Sequence, residues 1–250
     1  MRRKCLPVFL LAVFLLPLPA EAESSELAGH VIGVYVDEGA DPFCTEQAIE
    51  MFEWMGLTVR ELDAQTVNRG DLADLAALYF PGGDSPPYID RISPEGKQGI
   101  LDAVENGMVY IGTCAGSMFA AEVQVWRGAR YTAGQLGVFR GEAVGPAPGI
   151  FDGEWCYTGL AVNLDHPAAA GCAAEFRVLW YNSPYLAAAP GVETHVLATY
   201  AATGDPAIVA QRRGEGWAFL TGPHPEYAIG EAWKLMRSIL AWCLGSPTDG

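Results

Sequence analysis

The residues best suited to covalent chemistry are in the segment Gly112-Thr113-Cys114-Ala115-Gly116. The apolar run just before it, Met108 to Ile111, predicts a buried strand, and a helix is expected after it. Glycines around a cysteine permit the sharp strand-to-helix turn that exposes a nucleophile. A helix N-terminus favours the thiolate and offers backbone N–H groups to a developing oxyanion. The segment therefore predicts Cys114 as a nucleophile and Ala115 as an oxyanion donor. The alternative is a structural cysteine buried beside a glycine turn.

A proton carrier for such a thiol is present in Gly222-Pro223-His224-Pro225-Glu226, which follows the apolar run 217–220. His224 is the predicted general base, and Glu226 is predicted to orient its imidazole. The alternative is a solvated histidine near a helix start, where the helix dipole favours an acidic residue. His166 is also followed by proline but has no acid two positions later, so it is predicted to be a loop feature. His30 and His195 begin predicted strands and are predicted to be structural.

A glycine pair in Pro81-Gly82-Gly83 follows another apolar run, 75–80. Glycines at a strand end allow the backbone to approach a ligand closely, so the amide of Gly82 or Gly83 is predicted to complete an oxyanion hole with Ala115. The alternative is an ordinary turn. Three polar residues near strand ends are weaker candidates for substrate contacts: Asp84, Tyr88 and Asn182.

Strand and helix patterns alternate along the first half of the chain. Apolar runs predict strands at 30–36, 57–59, 75–80 and 108–111, with helices at 43–56 and 93–106. This order predicts a doubly wound α/β fold, a mainly parallel sheet flanked by helices, with its site at the carboxyl ends of the strands. Between about 123 and 175 the pattern loosens. Further strands are predicted at 178–180, 196–200, 207–210 and 217–220, and a closing helix at 227–244.

Three motifs together carry a family resemblance. Residues 79–83 (YFPGG), 110–116 (YIGTCAG) and 220–226 (LTGPHPE) resemble the class I glutamine amidotransferase-like superfamily. Within it they are most similar to the amidotransferase-like domain at the N-terminus of biotin–protein ligases. The resemblance runs from about residue 30 to 244. It implies a flavodoxin-like doubly wound fold and a Cys-His-Glu triad of Cys114, His224 and Glu226.

The residues and the resemblance together predict thiol-dependent hydrolysis of an amide or acyl bond in a small-molecule or peptide substrate. Ligase and ammonia-transfer activities are not expected, because no ligase or synthase domain is recognised in the sequence. The alternatives are a non-catalytic binding protein and a redox-responsive protein that reacts at Cys114. No cofactor is predicted, since the sequence has no P-loop or dinucleotide glycine pattern, and no metal-ligand spacing is found.

The N-terminal 22 residues have the features of a signal peptide: three basic residues, an apolar stretch and an Ala-Glu-Ala cleavage site. The alternative, an uncleaved membrane anchor, is disfavoured because the stretch is short and contains prolines. Cleavage changes the net charge from −15 to −17, which argues against nucleic acids and anionic membranes as partners. We therefore expect a periplasmic or secreted protein with one domain, residues 29–246, and no membrane span after cleavage.

Five cysteines lie beyond the leader. An odd number in an oxidising compartment predicts disulfides and one free thiol, which we assign to Cys114. The predicted bridges are Cys156–Cys172, across a short loop, and Cys44–Cys243, between the first and last helices. The alternative is that these cysteines are small buried hydrophobic residues.

Overall fold

The computed structural model describes residues 26–150 and 155–245. The predicted signal peptide, and residue 246 at the predicted domain end, lie outside these ranges. A nine-stranded sheet has the order β2-β1-β3-β4-β13-β12-β11-β8-β9. Its strands are β1 (Val31–Tyr35), β2 (Thr58–Leu62), β3 (Ala77–Phe80), β4 (Val109–Thr113), β8 (Cys156–Val162), β9 (Glu175–Trp180), β11 (His195–Tyr200), β12 (Pro206–Arg213) and β13 (Gly216–Thr221).

The large sheet has two halves of different character. From β2 to β13 all neighbouring strands are parallel, which confirms the predicted fold class and places their carboxyl ends on one edge. From β13 to β9 all neighbours are antiparallel. This second half begins with a tight hairpin, in which Gly214 takes a φ of 59° as a glycine readily does.

A second, four-stranded sheet was not foreseen, because it comes from the loosely patterned stretch after the cysteine segment. Its order is β10-β7-β5-β6. The strands are β5 (Ala121–Trp126), β6 (Ala129–Tyr131), β7 (Phe139–Gly145) and β10 (Tyr185–Ala188).

Two of the helices begin at conventional N-caps followed by proline. Asp41 accepts hydrogen bonds from the amides of Phe43 and Cys44, and Ser93 accepts one from Gly96. In both cases a proline occupies the first helical position. The helices are α1 (Pro42–Trp54), α2 (Ala64–Asn68), α3 (Ser85–Arg91), α4 (Pro94–Glu105), α5 (Ala115–Ala120) and α6 (Glu231–Gly245).

The inner strands of the parallel half, β1, β3, β4 and β13, are buried on both faces and are therefore mostly apolar instead of alternating, whereas the edge strand β2 is partly exposed and carries polar residues. One core packs α1 and α6 against strand residues such as Val34 and Ile111. The other core packs α3, α4, α5 and the small sheet against residues such as Phe80 and Tyr110. These two cores hold the strand ends that carry the candidate site.

Within the described ranges, no helix has the length and apolar character needed to cross a bilayer.

The predicted Cys156–Cys172 bridge is not formed; all five described cysteines are free thiols. Cys156 begins β8, and Val162 ends it. The amide of Val162 bonds the carbonyl of Ala174, so Cys172 lies near the far end of the strand. Six strand residues span about 20 Å, whereas a disulfide needs Cα atoms within about 7 Å. Because β8 is extended, it carries the chain away from Cys156 before the turns and the 3-10 helix Pro167–Ala169 lead to Cys172.

The predicted Cys44–Cys243 bridge is not formed either. Cys44 lies in the first turn of α1, with its Sγ 3.7 Å from His224 Nδ1. Helix α6 starts at the same end, where Trp233 Nε1 donates to the carbonyl of Glu226. Cys243 is ten residues further along, about 15 Å along the helix axis, and is buried in the core. Cys44 therefore lies at the helix ends beside His224, whereas Cys243 lies about 15 Å further along α6.

Candidate functional site

Cys114 occupies a strained turn between β4 and α5, which we call the cysteine elbow. Its φ is 51° and its ψ is −103°, a conformation that non-glycine residues rarely adopt and that is commonly retained at functional sites. Its amide donates to the carbonyl of Thr221 at 3.0 Å, and its carbonyl accepts from Met118 at 3.0 Å. The elbow therefore orients the thiol through backbone contacts on both sides.

Parallel pairing brings the three sequence motifs to one edge. Thr113 pairs with Thr221 across β4 and β13, while Gly112 pairs with Phe80 across β4 and β3. The residues following each strand, 114–116, 222–226 and 81–83, therefore meet. The Ser117 hydroxyl lies 2.7 Å from the carbonyls of both Gly112 and Thr221.

His224 and Glu226 form a buried pair. Glu226 Oε1 lies 2.8 Å from His224 Nδ1. A 3-10 turn, Pro225–Tyr227, carries the carboxylate back toward the ring, and the amide of His224 donates to Leu179 at 2.9 Å. Both side chains are almost fully excluded from solvent. The turn thus holds the carboxylate against one ring nitrogen and fixes the orientation of the ring.

Burial by itself lowers the pKa of His224, but the opposing effects are larger. The charge of Glu226, followed by the charge and hydrogen bond of Cys114 and the hydrogen bond of Cys44, raises this pKa well above its ordinary value. The imidazolium is therefore favoured near neutral pH. An imidazolium beside a cysteine is the arrangement that stabilises a thiolate nucleophile.

The predicted oxyanion donors lie beside the elbow. Gly83 and Ala115 line the same cleft as Cys114. Gly82 packs against His224 instead, since a Cβ built on it would lie 3.1 Å from His224 Nδ1. The amide of Gly116 donates to the carbonyl of Pro81 at 3.1 Å. This bond ties the loop 81–83, which we call the glycine loop, to the elbow.

Of the three weaker candidates, two reach the cleft. Asp84 and Asn182 line it. Asp84 is the N-cap of α3, but its side chain makes no capping bond. Tyr88 does not line the cleft, contrary to prediction: it is fully buried and its hydroxyl donates to the carbonyl of Pro81 at 3.1 Å. Helix α3 directs Tyr88 into the core, where its hydrogen bond to Pro81 stabilises the glycine loop.

Three residues of the site were not predicted. Cys44, assigned to a disulfide, contacts His224 Nδ1. The buried Ser183 hydroxyl donates to Cys114 Sγ at 3.9 Å. Exposed Trp155 stacks on Tyr181 with ring centroids 5.0 Å apart. No local motif marks them, because each arrives from a distant part of the chain.

The cleft over Cys114 has a volume of about 950 Å³. Its walls combine aromatic rings and carboxylates, and the lining residues within the described ranges include no lysine or arginine. The aromatic lining residues are Trp126, Tyr131, Trp155 and Tyr181, and the acidic ones are Asp41, Asp84 and Asp90.

This α/β sheet and cysteine elbow define a glutamine amidotransferase-like fold, which solved structures share. A glutamine amidotransferase of Thermotoga maritima gives a TM-score of 0.54 at 13% identity, covering 87% of this chain and 99% of that one. A cytoplasmic protein of Salmonella typhimurium gives 0.59 at 13% identity, covering 86% and 99%. At such identities the likeness shows the fold.

The family is shown by sequence. The family described as biotin-protein ligase, N terminal, matches residues 31–238, so the chain belongs to it. The biotin–protein ligase of Schizosaccharomyces pombe is 27% identical over 215 residues, 78% of this chain and 33% of that protein. The chain thus spans about a third of that relative. An uncharacterized protein of Chlamydia muridarum is 28% identical over 213 residues, 78% of this chain and 79% of that one.

Proposed function

We propose that this protein hydrolyses an amide or related acyl bond through a covalent thioester on Cys114. The main support is the juxtaposition of a strained cysteine elbow with a buried histidine whose Nδ1 lies 2.8 Å from a carboxylate. This is the nucleophile, base and orienting acid of a catalytic triad.

In the first half of the reaction, the Cys114 thiolate attacks the carbonyl carbon of the substrate. The amides of Ala115 and of Gly83 or Gly82 stabilise the oxyanion. His224 donates its proton to the leaving nitrogen as the C–N bond breaks, which leaves an acyl thioester. In the second half, His224 takes a proton from water, whose oxygen attacks the thioester and releases the acid and the thiol. Glu226 orients His224 throughout.

The cleft favours acyl groups without a strong negative charge. Its carboxylates would repel an anionic substrate, and its aromatic walls suit apolar or cationic groups. We propose that the enzyme acts on such substrates after export, in the periplasm or outside the cell, because the leader has the features of a signal peptide.

Thiol labelling of the protein lacking residues 1–22 tests the nucleophile. Iodoacetamide at mildly acidic pH should modify Cys114 before the other four cysteines, since burial raises the pKa of each of those four thiols. Peptide mass mapping after limited labelling measures the order. A Cys243→Ser variant should give the same order. Faster labelling elsewhere, with Cys114 inert in folded protein, would refute the assignment.

Acyl trapping then separates hydrolysis from its alternatives. Small activated amides and esters, quenched in acid, should leave an acyl mass on the Cys114 peptide. Absence of any adduct on a reactive Cys114 would favour a binding protein. Selective sulfenic acid formation there without acyl transfer would favour a redox-responsive one.

A methyl group at Gly82 should impair catalysis. In Gly82→Ala the Cβ would overlap His224 Cε1 and lie 3.2 Å from Cys44 Sγ, so the ring must shift. We expect kcat/KM to fall by about 10²-fold, the usual effect of misplacing a catalytic group by about 1 Å. Gly99→Ala, where no atom lies within 4 Å of the new Cβ, should retain full activity. Equal activity of the two variants would show that His224 tolerates displacement.

A further inference from the structure

Cys44 brings a third potential metal ligand to the His224–Glu226 pair. One donor atom from each of these side chains lies within 4.8 Å of the others, and all three residues are buried. Cys44 has no part in the hydrolytic triad. It lies 180 positions from His224 in the sequence, so no local ligand spacing could have revealed the group.

We propose that Cys44, His224 and Glu226 form a binding site for zinc or a similar thiophilic divalent cation. Tetrahedral zinc, with a bond of about 2.3 Å to sulfur and about 2.0 Å to nitrogen, requires these two ligand atoms to be about 3.5 Å apart. Cys44 Sγ and His224 Nδ1 are 3.7 Å apart, close to that separation before any ion binds.

The carboxylate of Glu226 has the freedom to complete this set. Its Oε1 is 2.8 Å from His224 Nδ1. Two ligand atoms on tetrahedral zinc are further apart than this, so Oε1 must move by about half an ångström. Its other oxygen, Oε2, is buried and has no hydrogen-bond partner among the described residues. A buried acceptor without a partner is unfavourable, and coordination to a cation would satisfy it.

Charge and surroundings also suit a divalent cation. A Cys44 thiolate and the Glu226 carboxylate would neutralise Zn²⁺, so no net charge would be buried. The Tyr227 hydroxyl, 3.8 Å from Cys44 Sγ, is an outer-sphere donor to the thiolate. Cys44 and His224 both line the cleft, so water can supply the fourth ligand. Gly82 keeps side-chain atoms away from both ligand atoms.

If the protein hydrolyses acyl bonds as proposed above, a metal at this site should affect that activity. A metal on Nδ1 separates His224 from Glu226 and leaves the ring proton on Nε2. The ring then has no free nitrogen to accept a proton. Zinc should therefore inhibit hydrolysis reversibly. Cys44 would strengthen this inhibition, because it is a zinc ligand that the triad does not use.

Cadmium binding tests the site independently of catalysis. The protein lacking residues 1–22 and carrying Cys114→Ser, which removes the nucleophile as a ligand, should bind one Cd²⁺ with an ultraviolet thiolate-to-cadmium band. Adding Cys44→Ser should abolish the band and weaken zinc affinity, measured calorimetrically, by at least about 10²-fold. Adding Cys156→Ser or Cys172→Ser should change neither. No binding to the Cys114→Ser protein, or a band that follows Cys156 or Cys172 instead of Cys44, would overturn the proposal.

Activity measurements then separate the two proposals. Zinc inhibition should be reversed by a chelator and should require higher zinc in Cys44→Ser. Cadmium binding without any hydrolysis would retain the metal site and reject the hydrolase. Hydrolysis without metal binding would do the opposite.

Discussion

Replacing His224 by alanine should reduce kcat/KM at least about 10⁴-fold, because His224 is the only histidine among the described residues that lines the cleft over Cys114. In a serine hydrolase built on the same logic, loss of the histidine costs on the order of 10⁶-fold in kcat. The measurement is hydrolysis of the acyl substrate that labels Cys114. His30→Ala is the matched control, since His30 does not line the cleft, and it should retain full activity.

The alanine variant also leaves the Glu226 carboxylate buried without its partner, which can cost about 3–5 kcal/mol in stability. Denaturant unfolding must therefore accompany the kinetics. His224→Gln retains an amide group in place of the ring and provides a second, less disruptive variant. Activity within tenfold of the parent in either folded variant would place the general base elsewhere.

The loss of activity in Glu226→Gln should be roughly 10- to 100-fold smaller than the loss in His224→Ala, since an amide oxygen can still accept a hydrogen bond from the ring. It should also change the pH profile. Glu226 raises the pKa of His224, so its removal lowers that pKa and the imidazolium is lost at a lower pH. The alkaline limb of kcat/KM should therefore move to lower pH. An unmoved limb would mean that another group controls it.

The sequence predicts the parallel half of the fold well, and it also predicts that Cys114 and His224 meet at one edge of the sheet, because both depend on local order. Cys114 follows directly on β4, and His224 follows shortly after β13. Parallel strands share their carboxyl edge. Once the strands are recognised, the residues just beyond them must meet. The direction of each strand needs no further information, because a helix connects the early strands.

The remaining features depend on contacts between distant segments. Cys44 was assigned to a disulfide because its position at a helix start does not say which strand end that helix approaches. Ser183 and Trp155 belong to a stretch of hairpins and turns, where the positions of residues cannot be read from helical periodicity. Tyr88 follows the glycine loop closely in the sequence, which suggested a place in the cleft. The rotation of α3 about its axis instead directs its side chain into the core. A cysteine count could not indicate that Cys156 begins an extended strand, β8, which carries the chain away from it.

A separate prediction, on stability, concerns Gly116, whose backbone packs against the glycine loop. A Cβ there would overlap the carbonyl oxygen of Phe80 and lie 2.7 Å from its carbonyl carbon. Tyr110 also donates to the carbonyl of Gly116 at 2.9 Å, which restrains the turn from below. Because backbone atoms cannot move aside as a flexible side chain can, Gly116→Ala should lower the free energy of unfolding by about 3 kcal/mol.

Gly99→Ala is the matched control for this effect. Gly99 lies inside α4, and beyond its chain neighbours and the backbone of its own helix no atom lies within 4 Å of the position that an alanine Cβ would take. Alanine there should stabilise the protein by up to about 1 kcal/mol through helix propensity alone. Urea unfolding of both variants, with equal m-values, measures the contrast. If Gly116→Ala were as stable as the parent, the contact between α5 and the end of β3 would be looser than described, and the close packing that aligns Cys114 with the glycine loop would be disproved.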